Sequence, residues 1–217
     1  MHIEILVEDS SGAKLVEILV PKIIGEDSNH YTMRIHPYKG IGRVPKGLKS
    51  KTDAAKRVLL DQLPRVLAGY ANNPNIDAIV VIVDTDNQDC KIFLDELINI
   101  AKIKSPNKQV LFRLAIEEIE AWYLGDTKAI QAAYPKTKQD VLKRYKQDSV
   151  CGTWETLADA VYPGGSKSLK QSGGSAPGTL KHEWADKIGS KLNIKDNQSP
   201  SFCKFRDGLK RLVSGQS

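Results

Sequence analysis

Two short apolar runs constrain the fold of this chain most, because a carboxylate follows each of them directly. Residues 3–7 (IEILV) precede Glu8, and residues 78–83 (AIVVIV) precede the Asp84-Thr85-Asp86 triplet. Runs of this length and β-branched content predict strands of a parallel sheet that is covered on both faces. In such a sheet the carboxyl ends of the strands line the ligand crevice, where clustered carboxylates repel one another unless a cation neutralises them. The sequence therefore predicts a divalent-metal site at this edge.

The rest of the first half alternates strand and helix patterns. Further strands are predicted near residues 31–36 and 110–116, and helical spacing of apolar residues begins near 13, 55 and 89. This alternation predicts an α/β fold, a mostly parallel sheet with helices on both faces.

After Gly125 the strand patterns stop and short amphipathic helices are predicted. They fall at residues 127–134, 137–145, 153–161, 179–192 and 201–213. A segment rich in Gly, Ser and Lys, residues 163–178, is predicted to be a mobile loop. We therefore divide the chain into a metal-binding core (1–126) and a basic helical C-terminal region (127–217), although a single domain with a helical extension fits the pattern equally well.

Composition narrows the cellular setting. The three cysteines (Cys90, Cys151 and Cys203) are widely spaced and form no CxxC pair, so we expect reduced thiols and not a zinc site or a disulfide framework. No apolar run approaches the roughly 20 residues of a membrane helix, and the N-terminus does not resemble a signal peptide. We expect a cytoplasmic protein with no membrane partner.

The net charge of +6 is unevenly distributed. Residues 1–127 contain 16 Lys/Arg against 18 Asp/Glu, whereas residues 128–217 contain 16 against 8. An acidic half beside a basic half favours a polyanion substrate such as DNA or RNA, and a solvated lysine-rich surface is an equally acceptable interpretation. The basic residues expected to contact nucleic acid lie in a glycine-rich loop and in the last helix: Lys39, Arg43, Lys46, Lys49 and Lys51, then Arg206 and Lys210.

The acidic residues suit a hard metal ion. In a regular strand Asp84 and Asp86 point to the same side, and such oxygen donors suit Mg²⁺ or Mn²⁺. A lone DxD also occurs in ordinary polar turns, but Glu8 on a neighbouring strand favours the metal site. If a helix begins near Glu117, only one of Glu118 and Glu120 can face the site, and we favour Glu120. The other acidic residues of that segment would then complement the helix dipole.

Four segments resemble a known family: residues 7–11 (VEDSS), 83–86 (VDTD), 116–126 (IEEIEAWYLGD) and 199–209 (SPSFCKFRDGL). Together they resemble domain-of-unknown-function family 4276, a group of Toprim-like proteins (the fold named for topoisomerases and primases). The resemblance implies a Toprim fold in which Glu8 is the catalytic glutamate and Asp84 and Asp86 bind the metal, while Glu120 matches a further shared position. Asp9 departs from the pattern, because many Toprim proteins have glycine there. The resemblance also implies an ATPase partner protein in anti-phage defence.

These features lead to a main hypothesis and two alternatives. The main hypothesis is a Mg²⁺-dependent nuclease (Mn²⁺ substituting) that hydrolyses phosphodiester bonds in DNA or RNA. Hydrolysis is preferred to the strand passage of a topoisomerase, since no tyrosine stands out as the covalent nucleophile that strand passage requires. A phosphatase or nucleotidyl-transfer enzyme is less favoured, because haloacid-dehalogenase-type phosphatases carry their DxD after the first strand. The other alternative is a non-catalytic module that binds nucleic acid or regulates an ATPase.

Overall fold

A computed structural model describes residues 1–25, 31–49, 53–149 and 152–215, so Lys51 and Cys151 lie outside the described residues. Within these ranges four strands form one parallel sheet: β1 (His2–Val7), β2 (Thr32–Pro37), β3 (Ala78–Asp84) and β4 (Gln109–Ala115). Their order is β2-β1-β3-β4. The predicted α/β fold with a parallel sheet is confirmed.

The two central strands bring the two acidic sequences to one edge. In the register of the sheet Ile3 pairs with Ala78 and Val7 pairs with Ile82. Because parallel strands run in the same direction, Glu8, directly after β1, and Asp84, the last residue of β3, both lie at the carboxyl edge. Glu4, the acidic residue inside the β1 run, is buried and hydrogen-bonded to His2 (3.3 Å) and His36, which accounts for a carboxylate in an apolar strand.

Helices cover both faces of the sheet, as predicted. On one face α1 (Ser10–Ile24) packs over β1 and β3, and on the other face α2 (Leu59–Ala71) and α3 (Cys90–Lys104) do so. The helix predicted from residue 55 begins only at Leu59, because the N–H groups of Leu59 and Leu60 donate to backbone carbonyls in the loop after β2. The preceding residues form a separate 3₁₀ turn, Ala54–Lys56.

Seven further helices lie after β4 in the described residues. They are α4 (Glu120–Leu124), α5 (Thr127–Ala133), α6 (Gln139–Arg144), α7 (Thr153–Val161), α8 (Gly165–Gln171), α9 (Ala176–Lys187) and α10 (Pro200–Ser214). The prediction of a loop over residues 163–178 is wrong, because α8 lies within it. Its first turn forms because the Asp159 carboxylate accepts a hydrogen bond from the Ser166 N–H (2.6 Å).

The C-terminal helices share an apolar cluster with the sheet. Trp122 stacks on Phe205 with ring centroids 4.8 Å apart, and both belong to the cluster that contains Val7 and the buried face of α1. Helix α9 packs against α1. Residues on both sides of position 126 therefore contribute to one core. In the part of the chain that the structure describes, no helix is both long and apolar enough to span a bilayer.

Candidate metal centre

Glu8 and Asp84 meet at the carboxyl edge of the central strands. The Glu8 carboxylate accepts a hydrogen bond from the backbone N–H of Asp84 at 3.1 Å. Burial raises the pKa of Glu8 to about 7, although the Asp84 N–H bond opposes this, and the charges of Asp86 and Asp9 raise it further. A carboxyl group with a pKa near neutrality can exist in either protonation state under physiological conditions, which is the property required of a general acid or base.

Asp84 is the last residue of β3 and lies among other carboxylates. Burial raises its pKa well above the ordinary value, and the charges of Glu8 and Glu120 act in the same direction. Unpaired charge in such surroundings is unfavourable, so the folded protein favours either protonation of these groups or a nearby cation.

Asp86 is arranged differently from Asp84. Regular strand geometry ends at Asp84, and Asp86 has a left-handed backbone (φ 46°) with its N–H donating to the Glu117 carbonyl. The alternation used to predict that both aspartates point the same way therefore does not extend to Asp86. This exposed residue lines a cleft of about 520 Å³ that Arg43 also lines. Asp86 nevertheless contributes to the raised pKa of Glu8.

The segment after β4 contributes two acidic side chains to the cluster, not one. The helix predicted near Glu117 begins at Glu120, and Glu118 precedes it in a turn. Glu118 Oε1 and Glu120 Oε1 lie 3.5 Å and 3.3 Å from the Nζ of Lys181. The expectation that only one of the two could face the site depended on a helix starting earlier, and it is wrong.

The environments of these two glutamates differ in depth. Glu120 is 1% exposed, and its Oε2 is buried with no hydrogen-bond partner among the described residues. Burial raises the pKa of Glu120, and burial together with the charge of Glu120 raises the pKa of Glu118 to about 7. A buried carboxylate oxygen without a partner is costly, which makes it a natural ligand for a cation.

Glu117 has a separate, structural role. Its carboxylate accepts hydrogen bonds from the N–H groups of Gly152 and, at 2.7 Å, Thr153, at the start of α7. Glu117 therefore does complement a helix dipole, but the helix is α7, which begins more than 30 residues later in the sequence.

Lys181 is a functional candidate that the sequence reasoning missed. It lies on α9, and its pKa is raised because the charges of Glu120, Glu118 and Asp84 outweigh the opposing effect of burial. Its partners are about 60 residues earlier in the chain, and nothing in the local pattern distinguishes it from the other lysines of the basic half.

The glycine-rich loop runs beside this cluster. The N–H groups of Tyr38 and Gly40 donate to the carbonyls of Val7 and Glu8, so the loop extends along the end of β1. The four described basic residues of the loop, Lys39, Arg43, Lys46 and Lys49, are all exposed.

The two residues of α10 that were predicted to contact nucleic acid differ in their exposure and in their hydrogen bonds. The Arg206 guanidinium donates to the Asp207 carboxylate (2.7 Å) and to the carbonyls of Ile194 and Lys195, so it is engaged within the protein. Lys210 is exposed.

The donor set of the cluster fits Mg²⁺ or Mn²⁺ in its chemistry. Glu8, Asp84, Glu118 and Glu120 supply hard oxygen atoms, carboxylates outnumber the Lys181 ammonium, and one Glu120 oxygen lacks a partner. Across residues 1–25, 31–49, 53–149 and 152–215, no group of three or more His, Cys, Asp or Glu is already arranged to hold a metal ion. Asp9 is occupied as the cap of α1, because its carboxylate accepts from the Gly12 N–H (2.6 Å) and the Ser11 hydroxyl.

The fold and the cluster together define a class: a parallel α/β protein with an acidic centre at the carboxyl ends of its central strands. Comparison with family profiles then places the chain more closely. It belongs to the family described as Domain of unknown function (DUF4276), whose profile matches residues 7–210. Searches of curated proteins and of solved structures find no match.

Proposed function

We propose that this protein is a Toprim-like, Mg²⁺-dependent nuclease that hydrolyses phosphodiester bonds in DNA or RNA. One observation carries the proposal: at the carboxyl edge of the sheet Glu8 contacts Asp84, and the charges of Glu118, Glu120 and their partner Lys181 also act on Asp84. Clusters of partly or fully buried carboxylates with raised pKa values are typical of functional sites, and metal-dependent phosphoryl chemistry uses such groups as metal ligands.

The residues take distinct parts in this proposal. Asp84, Asp86 and Glu120 would hold the metal, which when bound would neutralise phosphate charge and lower the pKa of a coordinated water. Glu8, whose pKa is about 7, would accept or donate a proton beside the scissile phosphate. The exposed cations of the glycine-rich loop, Arg43 foremost, would hold the nucleic-acid backbone above the cleft that contains Asp86.

Binding by such charges is independent of base sequence. Backbone phosphates require only positive charge at the correct spacing, and the described loop residues offer this without a base-reading helix. We therefore propose a substrate recognised by its phosphates. The resemblance and the cysteine usage further support a reducing, cytoplasmic setting with an ATPase partner, as part of the same proposal.

The test is cleavage of supercoiled plasmid, single-stranded DNA and tRNA with Mg²⁺, Mn²⁺ or EDTA. Asp84→Asn and Glu8→Gln are expected to lower the cleavage rate at least about 100-fold, as for loss of a metal ligand or a general base. Glu155→Gln is the matched control, since Glu155 pairs with Lys170 at the surface (2.9 Å) and is not among the cluster's carboxylates. Cleavage that persists in Asp84→Asn rejects the proposal. Metal-independent binding of nucleic acid without cleavage would instead support the non-catalytic alternative.

A further inference from the structure

Lys181 occupies the position that a cation would take between the two glutamates of the cluster. Its Nζ lies 3.3 Å from Glu120 Oε1 and 3.5 Å from Glu118 Oε1, and its side chain is 19% exposed. The same ammonium lies 6.0 Å from the centroid of the Trp154 ring, which covers it from the side of α7. Lys181, on the C-terminal helix α9, thus places a positive charge within the acidic centre.

This contact does not satisfy the carboxylates fully. Glu120 is almost completely buried, yet its Oε2 has no hydrogen-bond partner in the described residues. A single ammonium facing the carboxyl groups of Glu118, Glu120 and Asp84 also leaves excess negative charge whenever more than one of them is ionised. The arrangement therefore has capacity for a cation of higher charge at the same oxygen atoms.

A lysine and a divalent cation cannot share these oxygens without cost. Like charges a few ångströms apart in a partly buried site repel strongly, because the effective dielectric there is far below that of water. The four-carbon stem of lysine is flexible, so its ammonium can withdraw while the helix stays in place.

We propose that Glu118 and Glu120 are shared between Lys181 and the divalent metal, so that Lys181 is a tethered cation which the metal must displace. This inference rests on the proposed function. It adds Glu118 to the proposed metal ligands, and it implies that Lys181 opposes metal binding until the metal displaces it. Displacement frees an ammonium beside the metal, where an incoming phosphate would attract it. Substrate phosphate would in turn favour metal loading, because the two equilibria share one lysine.

The test measures Mn²⁺ binding to the full chain by isothermal titration calorimetry, without nucleic acid. Lys181→Gln, which keeps a hydrogen-bond donor but removes the charge, is expected to bind Mn²⁺ at least tenfold more tightly than the wild type. Lys181→Arg keeps the charge and is expected to bind at wild-type strength or more weakly. Lys170→Gln is the matched control: Lys170 lies over the same Trp154 ring (5.1 Å) but pairs with Glu155, so no change is expected.

A second readout keeps the inference testable if Lys181→Gln is poorly stable. The increase in melting temperature on adding saturating Mn²⁺ is expected to be larger for Lys181→Gln than for the wild type, because the metal replaces the missing cation. Mn²⁺ affinity that is equal or weaker in Lys181→Gln overturns the role of Lys181 and leaves the nuclease proposal intact. Absence of Mn²⁺ binding by both proteins overturns the metal centre itself.

Discussion

Glu8→Gln is expected to stabilise the metal-free protein at alkaline pH and to change its stability much less at mildly acidic pH. In the folded protein the pKa of Glu8 is about 7 instead of the ordinary 4.5. The folded state therefore binds this proton more tightly than the unfolded state. The contribution of Glu8 to the free energy of unfolding is therefore greatest below about pH 4.5 and is lost as the pH rises from there through about 7. Glutamine keeps the acceptor for the Asp84 N–H and removes this loss.

The size of the effect follows from the same difference. The pKa of Glu8 is about 2.5 higher in the folded than in the unfolded protein, which corresponds to at most about 3.4 kcal/mol in the free energy of unfolding. Glu8 is partly exposed and shares its protonation equilibrium with Asp84, so we expect about 2 kcal/mol. For a chain of this size that corresponds to an increase of about 4–8 °C in Tm at alkaline pH.

The assay is urea unfolding in EDTA at about pH 5 and about pH 8.5. Glu17→Gln is the control, because it removes the same charge from an exposed position on α1 and is expected to behave like the wild type at both pH values. Equal stability of Glu8→Gln and the wild type at the higher pH, or a less stable variant, would refute the reasoning that burial and neighbouring carboxylates strain this site.

Three further predictions concern Glu117 at the start of α7, the space around two glycines, and the glycine-rich loop. Glu117→Gln is expected to lower the free energy of unfolding by about 1–2 kcal/mol, since it removes a charged acceptor at a helix start, and urea unfolding at neutral pH measures this. Gly125→Ala would place a methyl group 2.0 Å from the Asn197 Oδ1 and is expected to cost at least about 2 kcal/mol, whereas Gly69→Ala has open space and should stabilise α2 by about 0.5–1 kcal/mol. Arg43→Ala is expected to weaken oligonucleotide binding and to reduce the slope of log K against log salt by about one, measured by fluorescence anisotropy. An unchanged slope would remove the loop from the binding surface.

The sheet and two members of the acidic centre were predictable because their signals are local. A continuous β-branched run specifies a buried strand, and a parallel register then brings Glu8 and Asp84 to the same edge whatever the rest of the chain does. The position of Asp86 was not predictable in this way, because its backbone follows hydrogen bonds to the segment after β4. Strand periodicity contains no information about such a turn.

The remaining parts of the site depend on contacts between residues distant in sequence. Helix α4 begins at Glu120 and not at Glu117 because Glu117 is held from two sides: its N–H donates to the Thr85 hydroxyl (2.8 Å) and its carboxylate caps α7. Its left-handed backbone (φ 59°) is incompatible with a helix. A local pattern of acidic residues before an apolar helix predicts a first turn, and only the tertiary partners show that the helix starts later.

The structure also shows which of the basic residues behind the charge asymmetry are paired within the protein and which stay exposed. The excess of positive charge after residue 127 predicts a surface for polyanions, yet part of that charge is paired with groups of the protein itself. Lys181 faces Glu118 and Glu120, Arg206 is bound to Asp207 and backbone carbonyls, and Lys187 pairs with Glu183. The glycine-rich loop of the acidic first half, in contrast, follows the end of β1 and keeps Lys39, Arg43, Lys46 and Lys49 exposed. If phosphates bind at this centre, Arg206→Ala should therefore leave the salt dependence of binding unchanged where Arg43→Ala reduces it, and the reverse result would move the binding surface to α10.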